Sequence, residues 1–511
     1  MNKQEIISNL LERHILITPD LLAHLPEDID SQYLLELATK HLTQPHLVLN
    51  KEIYSTYTEN TVLLQEPPAQ LHPPQRPLPT TETQPFPNEA RVTILKSYTK
   101  EPTTPSVQDF VNYFKSRYEA LKKILLGRPE LQNSISISRA SKKPEREHVS
   151  IIGMITEKNT TKNGNIMLTV EDPTGTIKVL ITKTKQDLIE QAQDLVLDEV
   201  IGIVGTTGNA ILFCNTFLYP DVPLTHELKK SPDEVYAVFV SDIHFGIKSF
   251  LEEDFTKFIQ WLNGEYGTEQ QRDIAKKVRY LFVVGDIVEG VGIYPGQDED
   301  LNLLDIYQQY ELATHYFSQI PRHINIIICG GNHDAMRIAE PQPLFDPKIS
   351  KGFYTLPNMT IVSNPSLVNI HASEYFPGFN VLLYHGFSLT YYADNVPSIR
   401  QRGGQDRCDL ILKFYLQRRH LAPTHGSTPY FPDSLQDPLV IDTVPDILVT
   451  GHIHRIVAGT YRNVTILNSS CWVTQSENQA RRGIVPDPAK IPLINLKTRE
   501  IKIMNFRSDH D

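Results

Sequence analysis

Five short motifs bearing histidine and aspartate follow one another in the second half of the chain. They are Ser-Asp-Ile-His (241–244), Gly-Asp-Ile-Val-Glu (285–289), Gly-Asn-His-Asp (331–334), Tyr-His-Gly (384–386) and Gly-His-Ile-His (451–454). Four of them follow apolar runs that read as buried strands: Tyr236–Val240, Leu281–Val284, Asn325–Cys329 and Val381–Leu383. Helical stretches such as Phe250–Trp261 and Leu304–Phe317 alternate with these runs. That pattern implies an α/β sandwich whose loops gather at the strand ends. A chain that sends ligand-type side chains to one set of strand ends, motif after motif, is building a single site.

The residue types specify the chemistry. Two divalent cations about 3.5–4 Å apart clamp an attacking water and the phosphoryl group of an ester. Such a pair needs a shared carboxylate, further oxygens and imidazoles. Asp242 and His244 lie two apart at a strand end, so both side chains face one site. Asp286 has the position of the shared carboxylate, and Asn332 offers a neutral oxygen. His385, His452 and His454 complete the set. One ion then has Asp242, His244, His454 and Asp286; the other has Asp286, Asn332, His385 and His452. Any one piece is weak, because a lone histidine in an apolar strand is more often a satisfied core residue. The ordered set is what points to metal. Such donors accept manganese, iron, zinc, cobalt or magnesium, and availability decides among them.

His333 is left over by this count. An imidazole kept cationic by a carboxylate stabilises phosphorane charge and protonates a leaving 3′ oxygen. His333 is therefore expected to be the general acid, with Asp334 orienting it. The alternative is that His333 only supports a ligand.

At 511 residues the chain exceeds one ordinary core. Residues 1–60 show apolar spacing of three and four, which predicts a small helical domain. Residues 61–105 carry ten prolines, so an extended or disordered linker is expected there. Residues 106–144 hold an amphipathic helix, with Phe110, Phe114, Tyr118, Leu121 and Leu125 on one face, and a connector. Residues 145–228 alternate as five short strands with a helical stretch, Gln186–Gln193, between the third and fourth; this is the order of an OB-fold. With few candidate stacking aromatics (Phe213, Phe217, Tyr219), that barrel is expected to contact protein rather than DNA. Residues 229–511 form the metal-binding domain. Four scattered cysteines, no membrane-length apolar run and no signal-peptide pattern at the start favour a reducing cytosol. The net charge of −11 argues against a chain that holds DNA tightly by itself.

The five motifs resemble those of the calcineurin-like metallophosphoesterase superfamily, and Gly-Asn-His-Asp is closer to its nuclease branch. The flanking text sharpens the likeness. Val-Phe-Val-Ser-Asp-Ile-His-Phe-Gly (238–246), Arg-Arg-His-Leu-Ala-Pro-Thr-His-Gly (418–426) and Val-Thr-Gly-His-Ile-His (449–454), behind the predicted barrel, resemble the small subunits of archaeal family D DNA polymerases. That family shares its architecture with the B-subunits of eukaryotic replicative polymerases, which have lost metal ligands. Here every ligand position is filled. The resemblance implies a calcineurin-like β-sandwich flanked by helices and a manganese-supported 3′→5′ exonuclease acting on single strands and mismatched 3′ ends. It also implies a large catalytic subunit, primer-template DNA and the sliding clamp as partners, with the assembly beside the nucleoid. Two other readings stay open: a stand-alone phosphodiesterase, or a structural polymerase subunit with little activity.

Two segments bear on partners. Gln108, Val111 and Phe114 partly match clamp-binding peptides, although Lys115 replaces the second terminal aromatic. Between Asn395 and His425 basic residues outnumber acidic ones; Arg400 and Arg402 are the candidates to guide a phosphate backbone. For Arg418 and Arg419 the plain alternative is that they complement a helix C-terminus.

Overall fold

The computed structural model describes residues 15–17, 47–49, 91–100, 104–475 and 485–508. The chain divides into two compact units, Met1–Pro85 and Phe86–Asp511. In the first, Ile15–Ile17 and Leu47–Leu49 pair as short parallel strands. The helices expected over residues 1–60 otherwise lie outside the described residues. A spacing of three and four does not anticipate strands at these two places.

The second unit is built on two six-stranded sheets packed face to face. One has the order Met359–Ile361, Asn325–Cys329, Val278–Val284, Tyr236–Val240, Lys490–Asn495, Ile501–Asn505. Its first four strands are parallel and its last two antiparallel. The other has the order Val457–Tyr461, Val464–Asn468, Ile447–Thr450, Phe379–Leu383, Ser366–Ile370, Val92–Lys96. Strand Tyr236–Val240 shows why these runs are apolar throughout. Its side chains alternate faces: Ala237 and Phe239 enter the core between the sheets, with Phe282, Val381 and Val449. Tyr236, Val238 and Val240 face the helices Glu252–Leu262 and Ile306–Ser318 on the outside. The outer face of the second sheet is covered by helices Leu389–Asn395 and Cys408–Arg418. A sheet covered on both sides has no polar face to show in the sequence.

Strand Val92–Lys96 corrects the expected linker. It lies within 61–105, yet pairs antiparallel with Ser366–Ile370 as the sheet's edge. The five residues from Val92 contain no proline, so every amide there can donate to a ladder.

Residues 148–218 form a closed five-stranded barrel, paired first–second–third–fifth–fourth and back to the first. Helix Gln186–Gln193 sits between the third and fourth strands. The long first strand, His148–Thr160, pairs with both the second and the fourth and so closes the barrel.

Helix Val107–Leu125 begins with a capping box, Ser106 and Asp109 exchanging hydrogen bonds with each other's backbone amide. It buries Tyr118, Leu121 and Leu125 against the barrel side, as its apolar stripe predicts. Its tightest anchor is one the stripe omits. Arg117 is wholly buried, donating to Asp437 at 2.6 Å and to the Pro423 carbonyl at 2.5 Å, with the Phe114 and Tyr430 rings beside it. Phe114 also packs on His425. Of the Gln108, Val111 and Phe114 set, only Gln108 and Val111 stay exposed, so a clamp could take Phe114 only after it leaves this cluster.

Candidate metal centre

Each of the five motifs occupies the loop after the C-terminal end of a strand: Tyr236–Val240, Val278–Val284, Asn325–Cys329, Phe379–Leu383 and Ile447–Thr450. The loops are tied to one another through their backbones. The Asp242 amide donates to the Gly285 carbonyl, His244 to Asp286, Gly285 to Cys329 and Gly451 to His385. The close approach restricts what fits. A Cβ on Gly451 would lie 2.6 Å from Oδ2 of Asp242, and one on Gly331 would overlap the Asp286 carboxylate.

Five of the site residues stand in the left-handed backbone region: Asp242 (φ 52°), His244 (56°), Asp286 (50°), His452 (71°) and His454 (58°). Such a conformation costs a non-glycine residue on the order of 1 kcal/mol or more. Five in one centre means the packed loops hold them there against their own preference.

The structure gathers all seven expected ligands. Asp242, His244 and His454 have ligand atoms within 4.8 Å of one another, and so do Asp286, His385 and His452. Nε2 of His244 is 3.2 Å from Nε2 of His454, which is 3.4 Å from Oδ1 of Asp242. Nε2 of His385 is 3.1 Å from Oδ1 of Asn332. Oδ2 of Asp286 lies between the clusters, 3.9 Å from His244 Nε2 and 3.3 Å from His385 Nε2. Donors about 2.1 Å from a common cation stand roughly 3.0–3.4 Å apart. These spacings, with a carboxylate oxygen facing both clusters, fit a pair of divalent ions.

The imidazoles are oriented from behind. Nδ1 of His385 lies 2.9 Å from the Val284 carbonyl, and Nδ1 of His244 lies 2.8 Å from Oε2 of Glu289. Both rings therefore turn Nε2 inward, the usual arrangement in which an outer acceptor fixes a metal-binding histidine. Glu289 is itself held by the Gln297 amide at 3.0 Å.

His333 sits at the mouth with its side chain 19% exposed. Its Nδ1 is 2.9 Å from the Glu289 carbonyl and 3.5 Å from the Glu289 carboxylate. Its backbone amide donates to Oδ1 of Asp286 at 2.9 Å. Here the structure corrects the expectation for Asp334. That carboxylate does not orient His333; it accepts from the amides of Gly331 (2.8 Å), Ile287 and Val288 and from the Tyr310 hydroxyl. Asp334 fastens the third loop to the second, and Glu289 holds His333. Glu289 was visible as the last residue of Gly-Asp-Ile-Val-Glu, but nothing in its spacing distinguished it from a surface glutamate.

The charges are strongly coupled. Burial pushes Asp334 up to about 7, assisted by the negative charge of Asp286. Burial would lower His333 too, but Asp286 and Glu289 overcome it and raise that imidazole to about 9. His385 is raised against burial to about 10, mainly by Asp286. His452 falls to about 3, from burial and the positive charge of His385. Asp286 and Glu289 are held well below the usual carboxylate range despite burial, by the surrounding histidines. A site packed with opposed charges in a dry pocket is organised for ionic chemistry.

Arg400 and Arg402 are both exposed, on and just after the short helix Pro397–Gln401. Arg418 and Arg419 are not available to a nucleic acid. Arg418 reaches into the barrel, donating to Glu199 at 3.1 Å, to the Asp194 carbonyl and to the Tyr219 hydroxyl, over the Phe414 and Tyr219 rings. Arg419 is buried on the carbonyls of Ile441, Asp442 and Asp221. Neither acts as a simple charge at a helix end.

A family model described as calcineurin-like phosphoesterase matches residues 236–455, the span of all five loops. The chain is 39% identical over 393 residues to the DNA polymerase II small subunit of Methanothermobacter thermautotrophicus, covering 77% of this chain and 78% of that protein. It is 40% identical over 400 residues to the one from Archaeoglobus fulgidus, covering 78% and 77%. It is 38% identical to the one from Pyrococcus furiosus over 78% of this chain, which spans only 64% of that longer relative. Similarity of this depth over more than three quarters of the chain shows that it belongs to the archaeal DNA polymerase II small subunit family.

Proposed function

We propose that the chain is the 3′→5′ exonuclease of a heteromeric replicative DNA polymerase, hydrolysing phosphodiesters of single strands and mismatched 3′ ends. The observation that carries it is the shared carboxylate of Asp286, set between two complete ligand clusters with His333 beside it. When bound, two divalent ions polarise the phosphate and lower the pKa of the attacking water; manganese suits these mixed histidine and carboxylate donors. The protein's share is positional. Asp242, His244, Asp286, Asn332, His385, His452 and His454 hold the ions. Glu289 holds His333 through Nδ1, and the imidazole, which also stands within 4.8 Å of the ligand atoms of His244 and Asp286, is placed to give a proton to the leaving 3′ oxygen. Asp286 and Glu289 keep that imidazole in its protonated form, raised to about 9 against burial.

Family membership supports the polymerase setting. A large catalytic subunit would hold the primer-template duplex, in keeping with the acidic balance of this chain. The barrel, read as an OB-fold, already spends Tyr219 on Arg418 and buries Phe217, leaving Phe213 exposed; it serves protein contact better than base stacking. Arg400 and Arg402 would lead the strand toward the centre. The sliding clamp is a further partner, through Gln108 and Val111. The assembly would work in the cytoplasm, at the nucleoid.

The deciding experiment compares a 3′-labelled and a 5′-labelled single strand incubated with manganese. Immediate release of labelled mononucleotide from the 3′ label only, abolished by chelator, is expected. Release from the 5′ label first, or turnover of nucleoside phosphates with intact DNA, would overturn the reading.

A further inference from the structure

Next to His333 the chain builds a rigid loop whose tip is apolar and exposed. Residues 290–296 read Gly-Val-Gly-Ile-Tyr-Pro-Gly, with Val291 49% and Ile293 38% exposed. Isolated surface aliphatics are ordinary, but this tip is held from below by two buried glutamines. Gln309 accepts from the Gly290 amide at 2.9 Å and donates to the Gly290 carbonyl at 3.2 Å. Gln297 accepts from the Ile293 amide at 2.9 Å and donates to both the carbonyl and the carboxylate of Glu289. The Tyr294 hydroxyl donates to Asp300 at 3.0 Å. Gly290 stands at φ 78° against the His333 carbonyl, and a Cβ there would come within 3.0 Å of the Ile293 side chain. Gly290 thus packs between the Ile293 side chain and the His333 carbonyl.

Direction follows from the reaction. In-line displacement sets the leaving group opposite the attacking water, and the leaving group is the 3′ oxygen of the penultimate nucleoside. The loop that carries the apolar tip borders the histidine proposed to protonate that oxygen, through the Glu289 carbonyl and Gly290. We infer that Val291, Ile293 and Tyr294 form a shelf for the penultimate nucleobase of the strand being shortened, so that an unpaired base reaches it and a base stacked in a duplex does not. The inference rests on the exonuclease reading and adds the residues that would select single strands. Apolar faces suit any base, which makes such a shelf tolerant of sequence.

The test uses the full chain with its large subunit, manganese and no nucleotides. Val291→Ser/Ile293→Ser is compared with wild type on a 3′-labelled single strand and on bis(4-nitrophenyl) phosphate, which has no base. The ratio of kcat/KM for the strand to that for the small diester should fall about fivefold or more. An abasic penultimate site should cost the wild type a similar factor and cost the variant almost nothing more. Independently of turnover, 2-aminopurine at the penultimate position of a strand ended by an uncleavable methylphosphonate linkage should change its emission on binding wild type and less on binding the variant. An equal loss on both substrates overturns the shelf, because the loop would then act through the metal centre. Weakened association with the large subunit and an unchanged abasic effect overturns it too, in favour of a protein contact. If the wild type hydrolyses the small diester and leaves DNA 3′ ends intact, the exonuclease reading itself has failed.

Discussion

His333 and Glu289 divide one task that the sequence alone assigns to adjacent residues. Gly-Asn-His-Asp invites the pairing of His333 with Asp334, because neighbours in a motif are assumed to be partners. In three dimensions the Asp334 side chain turns back onto the amides of Gly331 and Ile287, and the residue that meets His333 comes from a different loop. The cluster of candidate ligands was legible because metal binding demands residue types that are rare at strand ends. An outer carboxylate such as Glu289 demands nothing of its local sequence, only of the fold. His333→Ala should keep its metal content and lose cleavage by about 10²–10⁴-fold; metal analysis beside a single-turnover assay checks both. Glu289→Ala should act differently, weakening metal affinity by about 10–100-fold as His244 loses its fixed orientation, measurable by competition with a coloured chelator. Protons enter here as well. His385 is raised to about 10 and must be neutral to bind metal. Binding therefore expels protons, and metal affinity should rise with pH across the neutral range. Calorimetry in buffers of different ionisation enthalpy counts the protons released; a pH-independent affinity would contradict the protonated state assigned to His385.

At the scale of elements, the strands were legible and their margins less so. Tyr236–Val240 and Asn325–Cys329 are found where the apolar runs place them. The barrel follows its turns, since pairs such as Asn163-Gly164 leave little choice of connection. Val92–Lys96 was masked by the prolines around it, as composition over a window averages away a five-residue strand. Helix Val107–Leu125 was recognised by its stripe, yet its firmest hold is Arg117, a residue that hydrophobic periodicity counts as polar. Removing one partner of a fully buried ion pair costs about 3–5 kcal/mol, so Arg117→Ala should lower the Tm sharply and expose the Val107–Leu125 segment to proteases. The same cluster sets an acid limit. His420, whose Nε2 is 2.8 Å from Asp437, is pushed down to about 4 by burial and the Arg117 charge. Between about pH 6.5 and 4 the unfolded chain binds this proton and the folded chain does not, so stability present above pH 6.5 is lost as pH falls through that window. His420→Gln should flatten that part of the denaturation profile.

On the proposed reading, the whole molecule supplies chemistry and borrows its grip. The sandwich and barrel are locked together by Arg418 on Glu199 and by Thr424 and His425 on the loop at Leu197–Asp198. Because the ions bind only the folded state, chelation should lower the Tm, and added manganese should raise it in a concentration-dependent way. Arg400→Gln/Arg402→Gln should weaken single-strand cleavage more than hydrolysis of a small diester, and should reduce the salt dependence of the former. One consequence concerns synthesis. The seven candidate ligands lie on a stretch that opens at Asp242 and closes at His454, and the Asp242 carboxylate accepts from the His452 amide. A ribosome that has made the first four loops has made no complete centre: each set of four candidate ligands lacks one histidine, and the Asp242 carboxylate lacks its cap. On the proposed exonuclease reading, cleavage therefore begins only once the fifth loop has been made, and a chain that stops before His452 has no complete centre.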